Sequence, residues 1–296
     1  MGLPAMLLGI LLIAGSYDYL TLERNKIWKD FVNLWEDTLK KFPQCERAYR
    51  SIGFAYIERE KWDIAITYFQ AGLEINPDSV GLLNGLHIAY KHKGDLKKAE
   101  ESLLQASRID PKDSGIYNNL AMIYWEKHDT EKALSYLQKA LEAEPDAPGT
   151  YTNLGAIHYN LNQWDKAIPE LEKAIKLEPG FIQPYLSLAL IYREQGLLDK
   201  AEAWIKKGMD YVPDSQQGFS MLGRISLERG KIRDAKYFLS QAYRLKPNDG
   251  DTNYFLGLIA QNEANQYFQK AKEADRKIKA KVVESTADKG PGQKIP

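Results

Sequence analysis

Apolar side chains recur along this chain at intervals of three and four residues, in paired runs separated by a short polar break. In residues 117–145, Leu120 and Tyr124 lie on one helical face, and Leu137 and Leu141 lie on a second. The His-Asp pair at 128–129 separates the two runs. This pattern predicts two amphipathic helices joined by a tight turn.

The paired pattern repeats every 34 residues, and proline marks the step because it ends the second helix of each unit. Gly94, Gly196 and Gly230 mark the turn inside three units, where a residue without a Cβ adopts positive φ. We therefore expect six helix pairs over residues 46–249, stacked as an all-α, right-handed α-solenoid. Seven of the 13 prolines fall on the series, which is Pro43, Pro77, Pro111, Pro145, Pro179, Pro213 and Pro247.

The repeat is incomplete at both ends of the chain. Residues 23–45 continue the second-helix pattern upstream and are predicted to form half a repeat. Residues 250–283 begin another first helix but lack the usual turn, so they are predicted to be a partial repeat with a capping helix. The polar residues 284–296 are predicted to be a flexible tail.

The period and residue order resemble those of the tetratricopeptide repeat (TPR) family. The resemblance rests on the run 151–159 (YTNLGAIHY), on Trp164-Asp-Lys-Ala and on Pro179, and six such repeats cover 46–249. Two family binding modes fit poorly: the residue set that holds a C-terminal carboxylate in some members is missing, and the asparagine ladder suggested by Asn119 and Asn153 is interrupted.

In a stacked helix-pair solenoid, the first helix of each repeat lines an inner groove, where a protein or peptide partner binds. Its residues that lie off the core stripe mix aromatic, aliphatic, amide and basic side chains, and Trp, Tyr and Arg carry much of the energy of protein interfaces. The candidate partner-binding residues are Arg50, Phe54, Asn84, Lys91, Asn118, Met122, Trp125, Tyr159, Asn160, Leu190, Arg193 and Arg224.

Composition excludes several kinds of chemistry. Lys and Arg number 40 and Asp and Glu number 40, so the zero net charge argues against a nucleic-acid partner. The single cysteine, Cys45, excludes an internal disulfide, and the four histidines form no metal-ligand pair. No glycine-rich phosphate loop is present. We therefore expect a non-enzymatic protein with no cofactor, metal or catalytic residue.

The segment 1–22 is the second informative part of the chain, since residues 1–17 carry no charged side chain. Three interpretations stay open. The segment is a membrane anchor, although spanning a membrane requires about 17–25 apolar residues, or a cleaved signal peptide, although the basic residues that begin such a peptide are missing. The third interpretation is a helix that packs on the first repeat or on another subunit. The length of the uncharged, mostly apolar run favours a membrane-related role, with membrane contact through residues 1–20.

Residues 23–43 also resemble the junction between the last membrane helix and the C-terminal repeats in multi-span TPR membrane proteins, some of them O-mannosyl-type glycosyltransferases. The resemblance implies attachment beside a membrane, with the repeats on its extracytoplasmic or extracellular side, whereas Arg24, Lys26 and Lys29 after the apolar run favour the cytoplasmic side. Of the two sides, we expect the extracytoplasmic one. The leading interpretation is a membrane-tethered interaction scaffold. The alternatives are a subunit that assembles head to tail into a homo-oligomer or filament, and an accessory subunit that presents substrate to a membrane glycosyltransferase.

Overall fold

The computed structural model describes residues 31–287, which form fourteen helices and no strand. The chain divides into two compact units within α8, the first ending at Leu154 and the second beginning at Gly155. The helices are α1 (Phe31–Lys41), α2 (Glu46–Glu58), α3 (Trp62–Ile75), α4 (Val80–His92), α5 (Leu96–Ile109), α6 (Ser114–Glu126), α7 (Thr130–Ala143), α8 (Pro148–Asn160), α9 (Trp164–Leu177), α10 (Ile182–Glu194), α11 (Leu198–Met209), α12 (Gln216–Glu228), α13 (Ile232–Leu245) and α14 (Gly250–Ala287).

Even-numbered helices are the first helices of the repeats, and odd-numbered helices are the second helices. Successive helices pack on one another within each unit, so the predicted all-α fold of stacked helix-turn-helix repeats is confirmed. Second helices end where the sequence predicts. The residue before the repeat proline leaves the α region at the ends of α3, α5, α7, α9 and α13, as at Asn76 (φ −130°, ψ 88°) and Glu144 (φ −143°, ψ 94°). The exception is α11, which ends earlier, at Met209.

The turn inside each repeat contains one residue with positive φ. Gly94, Gly196 and Gly230 have φ between 70° and 78°, which confirms the prediction for these glycines. In the other three repeats a residue other than glycine occupies this position and adopts the left-handed conformation, which the sequence pattern did not predict. These residues are Glu60 (φ 57°), His128 (φ 60°) and Asn162 (φ 57°).

Paired helices approach closely because most first helices carry a glycine or alanine at their crossing point, where α4 alone among the first helices α2 to α12 has a large residue, His87. A Cβ built on Gly155 would lie 2.5 Å from the Leu171 Cγ, and one on Gly223 would lie 2.5 Å from the Leu239 Cγ. Leu171 and Leu239 are fully buried. The second-helix leucine therefore occupies the volume that a first-helix side chain would need.

Ion pairs also join successive repeats. The turn residue Lys127 in the first unit pairs with Glu100, which lies on the second helix of the preceding repeat. In the second unit Arg229 occupies a related turn position and pairs with Glu202 and, at 2.6 Å, with Asp199. These ion pairs connect the turns at Lys127 and Arg229 with the second helix of the preceding repeat.

At the carboxyl end, α14 runs without interruption from Gly250 to Ala287. The sequence predicted a partial repeat with a capping helix over 250–283, followed by a flexible tail from 284. The structure has one helix there, because no glycine or proline breaks the helical pattern between 258 and 287. The predicted segment 1–22 and tail residues 288–296 lie outside the described residues. None of the described helices is both long and apolar enough to cross a membrane.

Candidate functional site

The twelve predicted partner-binding residues all lie on first helices, from Arg50 on α2 to Arg224 on α12. We call the surface that they form the first-helix face, and its two parts belong to the two units. Eleven of these side chains are partly buried, and Asn160 is exposed at the end of α8. They therefore form the border between the core and solvent, which is where a partner-binding side chain is both positioned and accessible.

In the first unit, the first-helix face carries hydrogen-bonded side-chain amides. The Asn153 Nδ2 donates to the Asn118 Oδ1 at 2.9 Å, and the Asn119 Nδ2 donates to the Asn84 Oδ1 at 3.5 Å. The Asn118 Nδ2 donates in turn to the Thr150 Oγ1 at 2.8 Å. Asn84 and Asn118, which were predicted as partner-binding residues, thus form hydrogen bonds with Asn119 and Asn153, which were not. The 34-residue spacing of Asn119 and Asn153 is the sequence feature that indicates their equivalent positions in two repeats.

Charged and apolar side chains complete this part of the face. The Lys91 Nζ lies 2.8 Å from the Glu126 Oε1, so an ion pair connects α4 with α6. Phe54 packs edge-on against the buried Phe69, with ring centroids 5.2 Å apart. Phe54 therefore contributes to the packing of α2 against α3. Met122 and Trp125 are partly buried on α6 and present apolar surface beside the amides.

In the second unit, the face contains a cavity of about 310 Å³ between α10, α12 and the start of α14. Its lining includes Gln183, Leu186, Leu190, Gln217, Ser220 and Arg224. The Gln183 Nε2 donates to the Gln217 Oε1 at 2.7 Å. Neither glutamine was predicted, although they are 34 residues apart. Leu190 packs against the core that Leu222 and Ile225 form, and Tyr159 packs against the core around Leu171.

Two arginines of the face have different surroundings. Arg193 is only 13% exposed and lies 2.7 Å from Glu194 and 3.5 Å from Glu228. The Arg224 guanidinium lies over the Phe255 ring, 5.1 Å from its centroid. Burial, and then the positive charge of Arg193, lowers the pKa of Arg224. The second unit therefore brings two guanidinium groups to one part of the first-helix face.

Within residues 31–287, no group of three or more His, Cys, Asp or Glu side chains is arranged to hold a metal ion. Cys45 is partly buried between α1 and α2. The features of the first-helix face are hydrogen bonding, ion pairing and apolar contact, which are the interactions of protein recognition.

A helical-repeat fold with such a face defines a class of interaction proteins, and comparison with known families identifies the class. Three family models described as tetratricopeptide repeat match residues 50–114, 112–177 and 161–225. The chain therefore belongs to the TPR family, whose repeats are in general non-catalytic modules for protein–protein interaction. A search of curated proteins found no match.

Solved structures support the fold. A TPR protein from Parabacteroides merdae is 16% identical, with a TM-score of 0.66, over 84% of this chain and 97% of that one. The Cut9–Hcn1 hetero-tetramer of the APC/C is 18% identical, with a TM-score of 0.59, over 80% of this chain. This chain spans 46% of the length of that matched chain. Pseudomonas aeruginosa pilF is 20% identical, with a TM-score of 0.53, over 72% of this chain and 96% of that one.

Proposed function

We propose that this protein is an interaction scaffold that binds an extended segment of a partner protein along its first-helix face. The side-chain amides of the first unit are the observation that carries the proposal. Asn84, Asn118, Asn119 and Asn153 use hydrogen bonds to hold one another in place. Amide side chains that neighbouring helices hold in fixed positions can bind a peptide backbone with little further loss of conformational entropy.

The amides have hydrogen-bonding capacity left for a ligand. Among the described residues, the Asn84 Nδ2, the Asn119 Oδ1 and the Asn153 Oδ1 have no hydrogen-bond partner, which leaves one donor group and two acceptors. An extended peptide offers both complementary groups along its backbone. Met122 and Trp125 supply adjacent apolar surface, so the same segment can bury side chains there.

The test is a peptide array probed with the full-length protein carrying a fluorescent label. Trp125→Ala removes apolar surface from the first-helix face, and Ile64→Ala is the matched control because Ile64 is 40% exposed on the second helix α3. We expect binding to a subset of extended peptides that Trp125→Ala weakens about tenfold or more and Ile64→Ala leaves unchanged. Equal effects of the two changes, or no binding by the wild-type protein, would contradict the proposal.

Head-to-tail self-assembly is a second candidate function, which the surroundings of Gly257 favour. A Cβ on Gly257 would meet nothing within 4 Å, whereas the equivalent Gly223 packs against Leu239 of its second helix. The α1 helix follows the second-helix pattern and could cover this face in another copy. Sedimentation velocity tests this candidate: Gly257→Trp should dissociate assemblies of the full chain, and its failure to do so would exclude this contact.

Membrane attachment depends on residues 1–20 and remains a prediction from the sequence, as does the role of an accessory glycosyltransferase subunit. Fractionation of cells that express the full chain or a chain without residues 1–20 tests the first. We expect the deletion to move the protein from the membrane fraction to the soluble fraction. Equal distribution of the two chains would contradict a tether in this segment.

A further inference from the structure

Arg224 stands at a repeat position that is otherwise apolar. The position lies on the first helix, one residue after the small residue at the helix crossing, and recurs every 34 residues. Six of the seven equivalent positions, the last of them in α14, hold an apolar residue, so packing does not require a charged side chain there. The seven occupants in chain order are Phe54, Ile88, Met122, Ala156, Leu190, Arg224 and Leu258.

The Arg224 guanidinium also lacks the partner that its neighbours have. Arg193 pairs with Glu194 and Glu228, and Arg229 pairs with two carboxylates of the preceding second helix. No carboxylate of the described residues lies within 4.0 Å of the Arg224 guanidinium, which stacks on Phe255 instead. A partly buried guanidinium without a counter-ion loses hydration and gains no ion pair in exchange.

The cavity beside Arg224 offers space and further hydrogen-bond donors. It measures about 310 Å³, and Lys246, Ser220 and Gln217 lie on its lining with Arg224. The Gln217 Oε1 accepts a bond from Gln183, and this leaves the Gln217 Nε2 available. Apolar surface from Leu186 and Leu190 borders these groups.

Two acidic residues also line this cavity, and neither lies within 4.0 Å of the Arg224 guanidinium. The negative charge of Asp251 raises the pKa of Arg224, but burial and the positive charge of Arg193 outweigh it. The Asp249 Oδ2 accepts hydrogen bonds from the Thr252 N–H at 3.0 Å and from the Thr252 hydroxyl at 2.6 Å. These bonds hold the carboxylate at the N-terminus of α14. Asp251 lies in the first turn of that helix and is exposed to solvent. The cationic side of the cavity therefore remains open to an external anion.

We propose that this cavity binds a carboxylate of an acidic peptide on Arg224, with an apolar residue of the same peptide against Leu186 and Leu190. This inference rests on the proposed peptide-binding function and names its ligand class. Arginine binds carboxylates through paired N–H donors, and the stack on Phe255 holds the plane of the guanidinium for that geometry. Both an Asp or Glu side chain and a free peptide C-terminus provide this group.

The experiment uses the full-length protein, immobilised, and three pools of acetylated nonapeptides with neutral randomised flanks. The first pool has a central Glu and an amidated C-terminus, the second has a central Gln and an amidated C-terminus, and the third has a central Gln and a free C-terminal carboxylate. Mass spectrometry measures the retained fraction of each pool. Arg224→Leu places the residue of positions 190 and 258 in this repeat, so we expect it to fold; Arg244→Leu removes an exposed arginine of α13 as the control.

We expect the wild-type protein to retain the first or third pool about tenfold more than the second, as an ion pair with hydrogen bonds allows. The pool that is preferred identifies the source of the carboxylate. Arg224→Leu should reduce the ratio to about one without loss of thermal stability, and Arg244→Leu should preserve it. Equal retention of all three pools by the wild type, or an unchanged ratio in Arg224→Leu, overturns the inference and leaves the proposed function standing. Retention of no pool contradicts both.

Discussion

The Tyr151 hydroxyl donates a hydrogen bond to the carbonyl oxygen of Pro145 at 2.8 Å, across the turn that leads into α8. The same bond joins Tyr49 to Pro43, Tyr117 to Pro111 and Tyr185 to Pro179, always six residues apart. The repeat proline ends a helix and leaves a carbonyl group without a helical partner, and the tyrosine of the next helix supplies one. The proline thus ends one repeat, and the tyrosine hydroxyl connects the next repeat to it by a hydrogen bond.

Replacing this tyrosine tests the value of the bond. Tyr151→Phe keeps the ring and removes the donor, so we expect the free energy of unfolding to fall by about 1 kcal/mol. Chemical denaturation measures the change. Tyr237→Phe is the control, because Tyr237 is 59% exposed and should alter stability by less than about 0.5 kcal/mol. Equal effects of the two changes would show that the Pro145 contact adds nothing.

The left-handed turn residues provide a stabilising prediction. His128 has a φ of 60° at the position where Gly94 has 78°. Glycine adopts this conformation without the steric cost that a Cβ adds, so His128→Gly should stabilise the protein by about 1 kcal/mol. The converse change, Gly94→Ala, should destabilise it by a similar amount. Thermal unfolding of both variants measures the effect, and a change of the same sign in both would refute the explanation.

Two glycines of first helices should respond in opposite directions to the same substitution. Gly223→Ala places a Cβ against the buried Leu239 and should cost about 1–3 kcal/mol, since the core there is already filled. At Gly257 a Cβ meets nothing within 4 Å, so Gly257→Ala should gain up to about 1 kcal/mol from helix propensity. Denaturant unfolding of both variants under identical conditions tests the contrast. Destabilisation by both changes would indicate that the Gly257 face is covered.

His87 predicts how stability depends on pH. Burial lowers the pKa of His87 from 6.5 to about 4, while its Nδ1 donates to the Asn84 carbonyl oxygen at 2.9 Å. The unfolded chain therefore binds a proton more readily than the folded chain between pH 6.5 and 4. Stability should fall as the pH decreases through this range, by about 2 kcal/mol at pH 5.

The control for this prediction is His87→Ala, which introduces the residue found at the equivalent positions 121 and 189. The variant should lose most of the pH dependence between 6.5 and 5, whatever its stability at pH 7. Denaturation at a series of pH values measures both curves. Parallel curves for the two proteins would assign the dependence to other groups.

The sequence alone predicted the helix pairs, because proline and glycine recur at fixed steps and their steric effects are local. It also predicted which side chains lie on first helices beside the core, since helical spacing determines this, while their role in binding stays a prediction. It did not reveal the left-handed conformation of Glu60, where neighbouring structure overrides a residue preference, or that of Asn162, whose residue type tolerates this conformation. Nor did it reveal the Gln183–Gln217 bond, which depends on how two helices pack.

Arg193 and Arg224 illustrate the same limit. Both were predicted as groove residues, but only the three-dimensional surroundings distinguish the one with carboxylate partners from the one without. The sequence pattern also did not predict that α14 continues past residue 283. The residues that mark the turn in other repeats are absent here, and no helix stop signal replaces them.

Hydrogen–deuterium exchange of the full-length protein, with and without the tightest-binding peptide from the array, tests the central claim most directly. If the first-helix face binds the peptide, amide protection should increase in the first helices α4 and α6, or α10 and α12, and change little in the second helices that follow them. Protection confined to the second helices, with the first helices unchanged, would contradict the assignment of the binding surface.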